Sequence, residues 1–270
     1  MIVFPSCKIN IGLYILSKRS DGYHNLLTCF YPVKALSDIL EIVPSDTFVY
    51  TQSGLVISGD EESNLVVKAY RLIQQRHQCS AVKIHLHKCI PMGAGLGGGS
   101  ADAAFALTLL NEVLQLNLPD GQLKQYAAEL GSDCPFFIDN LPAIGEGKGE
   151  KLTSVTLPQL EGKYILLVKP DIHISTKEAY DNCRCRQENT SILQWLNLPL
   201  EKWQQTLHND FEDTLFPKYP VLAEIKNRLL RQGAAYASLS GSGATVYGIF
   251  DRQPMVDHWK QYGFVFSTKI

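Results

Sequence analysis

No stretch of the 270-residue sequence approaches the roughly 18–20 consecutive apolar residues of a bilayer-crossing helix. Charge is nearly balanced, with 25 Lys and Arg against 27 Asp and Glu and a net charge of -2. No excess of either sign draws the chain to nucleic acid or to an anionic membrane, so neither is expected as a partner. With 45% hydrophobic and 19% charged residues, disorder is excluded over most of the length. A disulfide framework is also missing. The seven cysteines are odd in number and scattered, and Cys183-x-Cys185 lacks the paired spacing of a zinc site. Reduced thiols and a cytoplasmic location are expected. The opening MIVFPSCKIN is not expected to be a signal peptide, because Pro5 and Lys8 interrupt its apolar stretch.

What is present reads as strands first, then helices and strands without regular βαβ alternation. Ile39 to Pro44 and Phe48 to Gly59 are β-rich and broken by glycine. A helix capped by Ser63 or Asn64 follows, with Leu65, Val66, Ala69, Leu72 and Ile73 at helical spacing. Val82, Ile84 and Leu86 alternate with Lys83, His85 and His87, as in a strand with one buried face. Ala103, Ala104, Leu107, Leu110, Val113 and Leu114 predict a buried helix. A second helix starts near Asp120 and stops at Gly131, and Ala143 to Gly149 reads as a glycine-punctuated turn. Tyr164 to Pro170 is a short buried strand. Leu207 to Leu215 and Val221 to Leu230 carry helical spacing, and Ala237 to Phe250 reads as strand, glycine turn, strand. The class is α+β, with a boundary near residue 150 separating domains 1–150 and 151–270.

The strongest local signal is the run Pro91, Met92, Gly93, Ala94, Gly95, Leu96, Gly97, Gly98, Gly99, Ser100, Ala101 between the period-two strand and the long helix. Glycines let the backbone curl so that successive N–H groups point inward, and a helix N-terminus adds its own unpaired donors. Such a nest holds phosphate. Ser100 can cap the helix or reach a phosphate or a magnesium ion. A P-loop is excluded because no lysine precedes Ser100. Gly93, Gly95 and Gly98 match the dinucleotide pattern formally. The preceding strand is buried on one face only, and no acidic residue ends a second strand about 20 residues on.

PMGAGLGGGSADAA resembles the ATP-phosphate loop of the GHMP kinases, whose members include galactokinase, homoserine kinase and mevalonate kinase. Three further segments occur in family order: Pro5, Lys8 and Asn10; Gly131 to Phe137 (GSDCPFF); and the glycine turn Ser240 to Ala244. Together they span nearly the whole chain. Arg19 to His24 (RSDGYH), Gly145 to Glu150 and Asn209 to Glu212 (NDFE) resemble one branch, whose acceptor is a methylerythritol carrying a cytidine diphosphate. Cys7 stands where that branch often has Ala, and Gly145 where it more usually has Ala.

The resemblance implies a two-domain GHMP-kinase-like fold of mixed sheets and helices, with the active site in the cleft between domains. It implies transfer of the ATP γ-phosphoryl group to the acceptor's 2-hydroxyl, within isoprenoid biosynthesis, by a monomer or homodimer. Asp133 is then the candidate acceptor of the hydroxyl proton, partly desolvated by Pro135, Phe136 and Phe137, and Lys8 the cation beside it. Asn10 would orient Lys8 or the substrate diphosphate. Tyr23 and Tyr180 would stack on the cytosine, His24 would meet its edge, and Thr176 would lie near phosphate or ribose. ATP and Mg2+ are the implied cofactors, with Ser100 a candidate metal contact and the direction of Asp102 left open. Gly241 and Gly243 would let a second turn approach the loop or substrate. The adenine pocket is expected between Ile39 and Lys68. Two alternatives stand beside this: a GHMP kinase acting on homoserine or mevalonate, disfavoured by Asp21-Gly22-Tyr23-His24, and a non-catalytic nucleotide-binding sensor, disfavoured by retention of Lys8 and Asp133.

Overall fold

The computed structural model describes residues 1–57, 59–181, 183–186 and 191–270. Strands come first: β1 (Ile2–Val3), β2 (Ser6–Lys18), β3 (His24–Ser37), β4 (Ile39–Pro44) and β5 (Val49–Gly54). Helix α1 (Leu65–His77) and β6 (Val82–Lys88) lead to the glycine loop, and then to α2 (Gly98–Val113), α3 (Asp120–Leu130) and α4 (Cys134–Asp139). β7 (Ala143–Gly147), β8 (Lys151–Ser154) and β9 (Tyr164–Pro170) precede α5 (Thr176–Asp181), α6 (Ile192–Leu196), α7 (Leu200–Thr206), α8 (Glu212–Lys218) and α9 (Pro220–Arg231). The chain finishes with β10 (Tyr236–Leu239), β11 (Val246–Phe250) and β12 (Gly263–Lys269). Among the described residues, no helix is long and apolar enough to cross a membrane.

Packing divides the chain differently from a single cut near residue 150. Unit 1 comprises Met1–Lys8, Pro32–Met92 and Gly97–Leu141; unit 2 comprises Ile9–Tyr31, Gly93–Leu96 and Pro142–Ile270. The interleaving follows from strand length: β2 and β3 each contribute residues to both units, as does the glycine loop.

In unit 1, the sheet order is β1-β4-β6-β5, with β4 antiparallel and β5 parallel to β6. Leu40 and Ile42 on β4 and Val82, Ile84 and Leu86 on β6 share a core with Val66, Ala69, Tyr70 and Ile73 of α1 and Ala103, Ala106, Leu107 and Leu110 of α2. Of the two cap candidates for α1 it is Asn64 that serves, its Oδ1 accepting the Val66 N–H at 2.9 Å. Gly131 follows α3 as expected, in extended rather than left-handed backbone.

In unit 2, β10, β11, β9 and β12 form an antiparallel sheet. Leu166, Val168 and Val246 pack with Leu222, Ile225 and Leu229 of α9 and with Trp259. A third sheet has the order β2-β3-β7-β8. Ala143 to Gly147, expected as part of a turn, is strand β7 paired with β3. Gly145 is the reason: a Cβ there would lie 2.5 Å from Cε2 of Phe30, so the missing side chain admits an aromatic ring onto the strand.

The expected helix Leu207 to Leu215 is broken. α7 ends at Thr206 and α8 begins at Glu212. Polar side chains between them bond to backbone elsewhere in unit 2 and outweigh helical propensity. Asn209 Nδ2 donates to the carbonyls of Leu239 at 2.8 Å and Gly241 at 2.9 Å. Asp210 accepts the Ile15 N–H at 2.8 Å and pairs with Arg186 at 2.7 Å. Buried Glu212 accepts from Ser238 Oγ at 3.0 Å, the Leu239 N–H at 2.8 Å and Lys226 Nζ at 2.5 Å. Removing that hub leaves Lys226 and the buried Leu239 N–H unmatched. Glu212→Ala is therefore expected to cost about 3 kcal/mol in urea unfolding, with Glu212→Gln recovering part of the loss.

Candidate active site

Between β6 and α2 the glycines divide into two groups. Gly93, Gly95 and Gly97 have φ of 59°, 72° and 71°, the left-handed region; Gly98 and Gly99 are helical. Ala94 and Leu96 between them are buried and root the turn. Ala101 donates to Gly97 O at 2.9 Å, so the N–H groups of Gly98, Gly99 and Ser100 precede the first intrahelical donor and remain at the helix mouth. The N-cap is Gly97, with no side-chain cap. Ser100 lies inside the first turn rather than capping it.

Within unit 1, Lys8 Nζ stands 3.6 Å from Asp133 Oδ2. The Lys8 side chain is 4% exposed and that of Asp133 32%. Burial lowers the Lys8 pKa, and Asp133 opposes the shift. Asp133 is the N-cap residue of α4, but its carboxylate makes no cap bond. Pro135 at the helix start has no N–H that would need a capping acceptor, and Phe136 and Phe137 are buried. A Cβ on Gly97 would lie 3.1 Å from Lys8 Cε and 3.0 Å from Phe137 Cζ, so glycine brings the loop backbone down onto the lysine.

A second ionic cluster lies in unit 1, and sequence reasoning missed it. Lys88 Nζ pairs with Asp38 and, at 2.7 Å, with Asp102 Oδ2. All three are buried. Burial is the largest influence on Asp102 and raises its pKa to about 8 against the pull of Lys88. The available signal was the alternation along β6, which carries Lys88 in phase with Val82, Ile84 and Leu86. Asp102, whose direction the sequence left open, faces this cluster. Among the described residues no group of three acidic, histidine or cysteine side chains forms a metal site. A surface pocket lined by Tyr50, Thr51, Gln52, Ile57 and Asn64 falls in the stretch expected to receive adenine.

Within unit 2, Asn10 is buried, its Nδ2 donating to Thr28 Oγ1 at 3.0 Å. Its N–H donates to Ser240 Oγ at 3.4 Å, and its carbonyl accepts from Tyr247 at 2.8 Å. The turn at Ser240 carries the first part of the loop: Ser240 Oγ donates to Gly95 O at 2.9 Å, and Thr245 N–H to Ala94 O at 3.1 Å. Asn209, unassigned from sequence, holds that turn through Leu239 and Gly241. His173, also missed, lies on Gly93, where a Cβ would be 3.0 Å from its ring.

His24 and Tyr180 stack with centroids 4.9 Å apart and planes 18° apart, and Tyr180 meets Phe211 edge-on at 4.8 Å. Partial burial lowers the His24 pKa, assisted by Lys18. Tyr23 is 58% exposed, with Lys148 Nζ 4.8 Å from its ring centroid. Tyr180 thus meets His24 face to face in this structure, while Tyr23 carries a cation. Thr176 is exposed at the start of α5.

Comparisons with known proteins agree along the whole length. The family model described as the GHMP kinases N terminal domain matches residues 64–143, and that of the GHMP kinases C terminal matches residues 194–262. The chain is 50% identical to the 4-diphosphocytidyl-2-C-methyl-D-erythritol kinase of Bacteroides thetaiotaomicron, covering 100% of both. It is 48% identical to the enzyme of that name from Cytophaga hutchinsonii, over 96% of this chain and 95% of the relative. A crystal structure of 4-(cytidine 5'-diphospho)-2C-methyl-D-erythritol kinase superposes with a TM-score of 0.82 at 28% identity, covering 99% of this chain and 98% of that one. Homoserine kinase from Cytophaga hutchinsonii shares the fold, with a TM-score of 0.70 at 16% identity over 98% and 94% of the two chains.

The two kinds of loop glycine differ in their tolerance of a side chain. A Cβ on Gly95 would lie 2.0 Å from Ser240 O, at a left-handed φ, whereas on Gly99 the nearest atom is Leu65 Cδ1 at 4.0 Å. Gly95→Ala is expected to lower unfolding stability by about 2 kcal/mol or more. Gly99→Ala should leave it unchanged or raise it by up to about 1 kcal/mol, since alanine is the better helix former. Chemical denaturation of the pair checks both.

Proposed function

Because the chain belongs to the GHMP kinases, and within them to the 4-diphosphocytidyl-2-C-methyl-D-erythritol kinases, we propose that it transfers the γ-phosphoryl group of ATP to the 2-hydroxyl of 4-diphosphocytidyl-2-C-methyl-D-erythritol, in non-mevalonate isoprenoid synthesis. The observation that carries the mechanism is the Lys8–Asp133 pair, 3.6 Å apart under the Gly97 backbone. The triphosphate lies against the loop, from Pro91 to Ala101, with the N–H groups of Gly98, Gly99 and Ser100 directed at it. The acceptor oxygen attacks the γ-phosphorus as the bond to the bridging oxygen breaks and ADP leaves. The hydroxyl proton passes to Asp133. Lys8 balances charge on the transferring group. Burial holds that lysine in one place, so little reorganisation accompanies the step.

The His24–Tyr180 stack, with Tyr23 beside it in sequence, supports a flat site for the cytosine, with Thr176 and Asn10 toward ribose and phosphate. Adenine is assigned to the pocket of Tyr50 and Asn64. Magnesium is assigned to the nucleotide itself. The inward turn of Asp102 and the absence of an acidic group of three among the described residues leave the chain with the Ser100 hydroxyl, and not a carboxylate cage, to offer it. When bound, such an ion neutralises phosphate charge. Cytoplasmic residence fits the seven free cysteines.

A panel of acceptor alcohols with labelled ATP tests the assignment. Transfer to the cytidine compound is expected, and transfer to mevalonate or homoserine instead would refute it. Asp133→Asn should lower turnover by about 10²–10⁴-fold while ATP binding is retained. Tyr180→Ala should weaken the cytidine substrate by about 1–3 kcal/mol and leave ATP affinity unchanged, as read from separate titrations of the two ligands.

A further inference from the structure

The buried cluster beneath the loop contains one more carboxyl group than its single lysine needs as a partner. Asp38 alone would neutralise Lys88, and it has a separate task. Its Oδ1 accepts the N–H groups of Cys89 at 2.6 Å and Ile90 at 2.8 Å, the last two residues before Pro91. Asp102 is a second carboxylate on the same ammonium, 2% exposed, and among the described residues its Oδ1 has no hydrogen-bond partner. Burying a second carboxyl group with an unpaired oxygen opposes folding. The position of Asp102 explains what it does instead. It lies on α2, four residues after Gly98, while Lys88 ends β6. Gly98 lets the two elements close: a Cβ there would lie 3.0 Å from Lys88 Nζ and 2.9 Å from Ile90 Cγ2. One ammonium is therefore tied to the residues entering the loop through Asp38 and to the helix leaving it through Asp102.

We propose that Asp38, Lys88 and Asp102 form a clamp that sets the distance between the two ends of the phosphate loop, with Asp102 as a positioning residue for the triphosphate. This rests on the loop being the triphosphate holder. The donors at the helix mouth converge on one anion only if α2 is held at a fixed offset from β6. A single buried ammonium bonded to two carboxyl groups holds that offset more rigidly than apolar packing, because its hydrogen bonds are directional and charge-assisted.

The test uses the full-length protein and two probes, ATP and inorganic tripolyphosphate, titrated by calorimetry, together with thermal unfolding. Asp102→Ala keeps the neutral Lys88–Asp38 pair and cuts only the tether to α2. It is expected to weaken both probes by a similar factor, about tenfold, without lowering the melting temperature. Asp102→Asn, which still accepts a hydrogen bond from Lys88, should restore both affinities to within about threefold of wild type. Unchanged affinities in Asp102→Ala would overturn the clamp. Weakening of ATP alone would overturn it too, since Asp102 would then contact the nucleoside. So would a loss that tracks a fall in melting temperature and is not rescued by Asn. Wild-type protein that binds neither probe would remove the loop's phosphate role, and the clamp with it.

Discussion

Close approach of bare backbone is the constraint on which the site depends. A phosphate-binding nest works only if main-chain N–H groups reach its surface with no side chain in front of them. In unit 2 this puts Gly95 against the carbonyl of Ser240, nearer than any Cβ allows. In unit 1 it puts Gly97 on Lys8 and Phe137, and Gly98 on Lys88 and Ile90. Each missing side chain is matched by a particular neighbour. The glycines are therefore contact residues, and the loop's shape is determined by what lies under it more than by its own freedom.

The charges under the loop are arranged with different economies. Lys8 and Asp133 form a pair in which the carboxylate keeps a third of its surface. Lys88 is shared by two carboxylates with almost no exposure, an arrangement suited to holding position. Burial acts on both lysines in the same direction. At Lys88 the two carboxyl groups overcome it and raise the pKa, whereas at Lys8 burial prevails over Asp133.

Much of the layout was legible in the sequence. Period-two spacing at Val82 to Leu86 and helical spacing after Asn64 matched β6 and α1, because burial of one face imposes those periods directly. Where polar side chains serve distant backbone, the pattern misled. Leu207 to Leu215 has a helical apolar spacing, yet Asn209, Asp210 and Glu212 are committed to Leu239, Ile15 and Ser238. Ala143 to Gly147 looked like a turn because glycine is scarce in strands, and only the Phe30 ring across the sheet makes Gly145 suitable there. Lys88 was hidden for the opposite reason. A lysine at a strand end reads as solvent-exposed until its two carboxylates are seen.

By itself the sequence determined the strand–loop–helix order around the glycines and the family. These are properties of residues close together in the chain, or of short segments in a recurring order. The tertiary structure alone decided that Lys88 meets Asp38 and Asp102. Lys88 and Asp38 are 50 residues apart, and Asp102 lies 14 residues beyond Lys88. Ser240 reaches Gly95 across 145 residues. No local periodicity encodes such pairings, because they arise only when packing brings separate elements within hydrogen-bond reach.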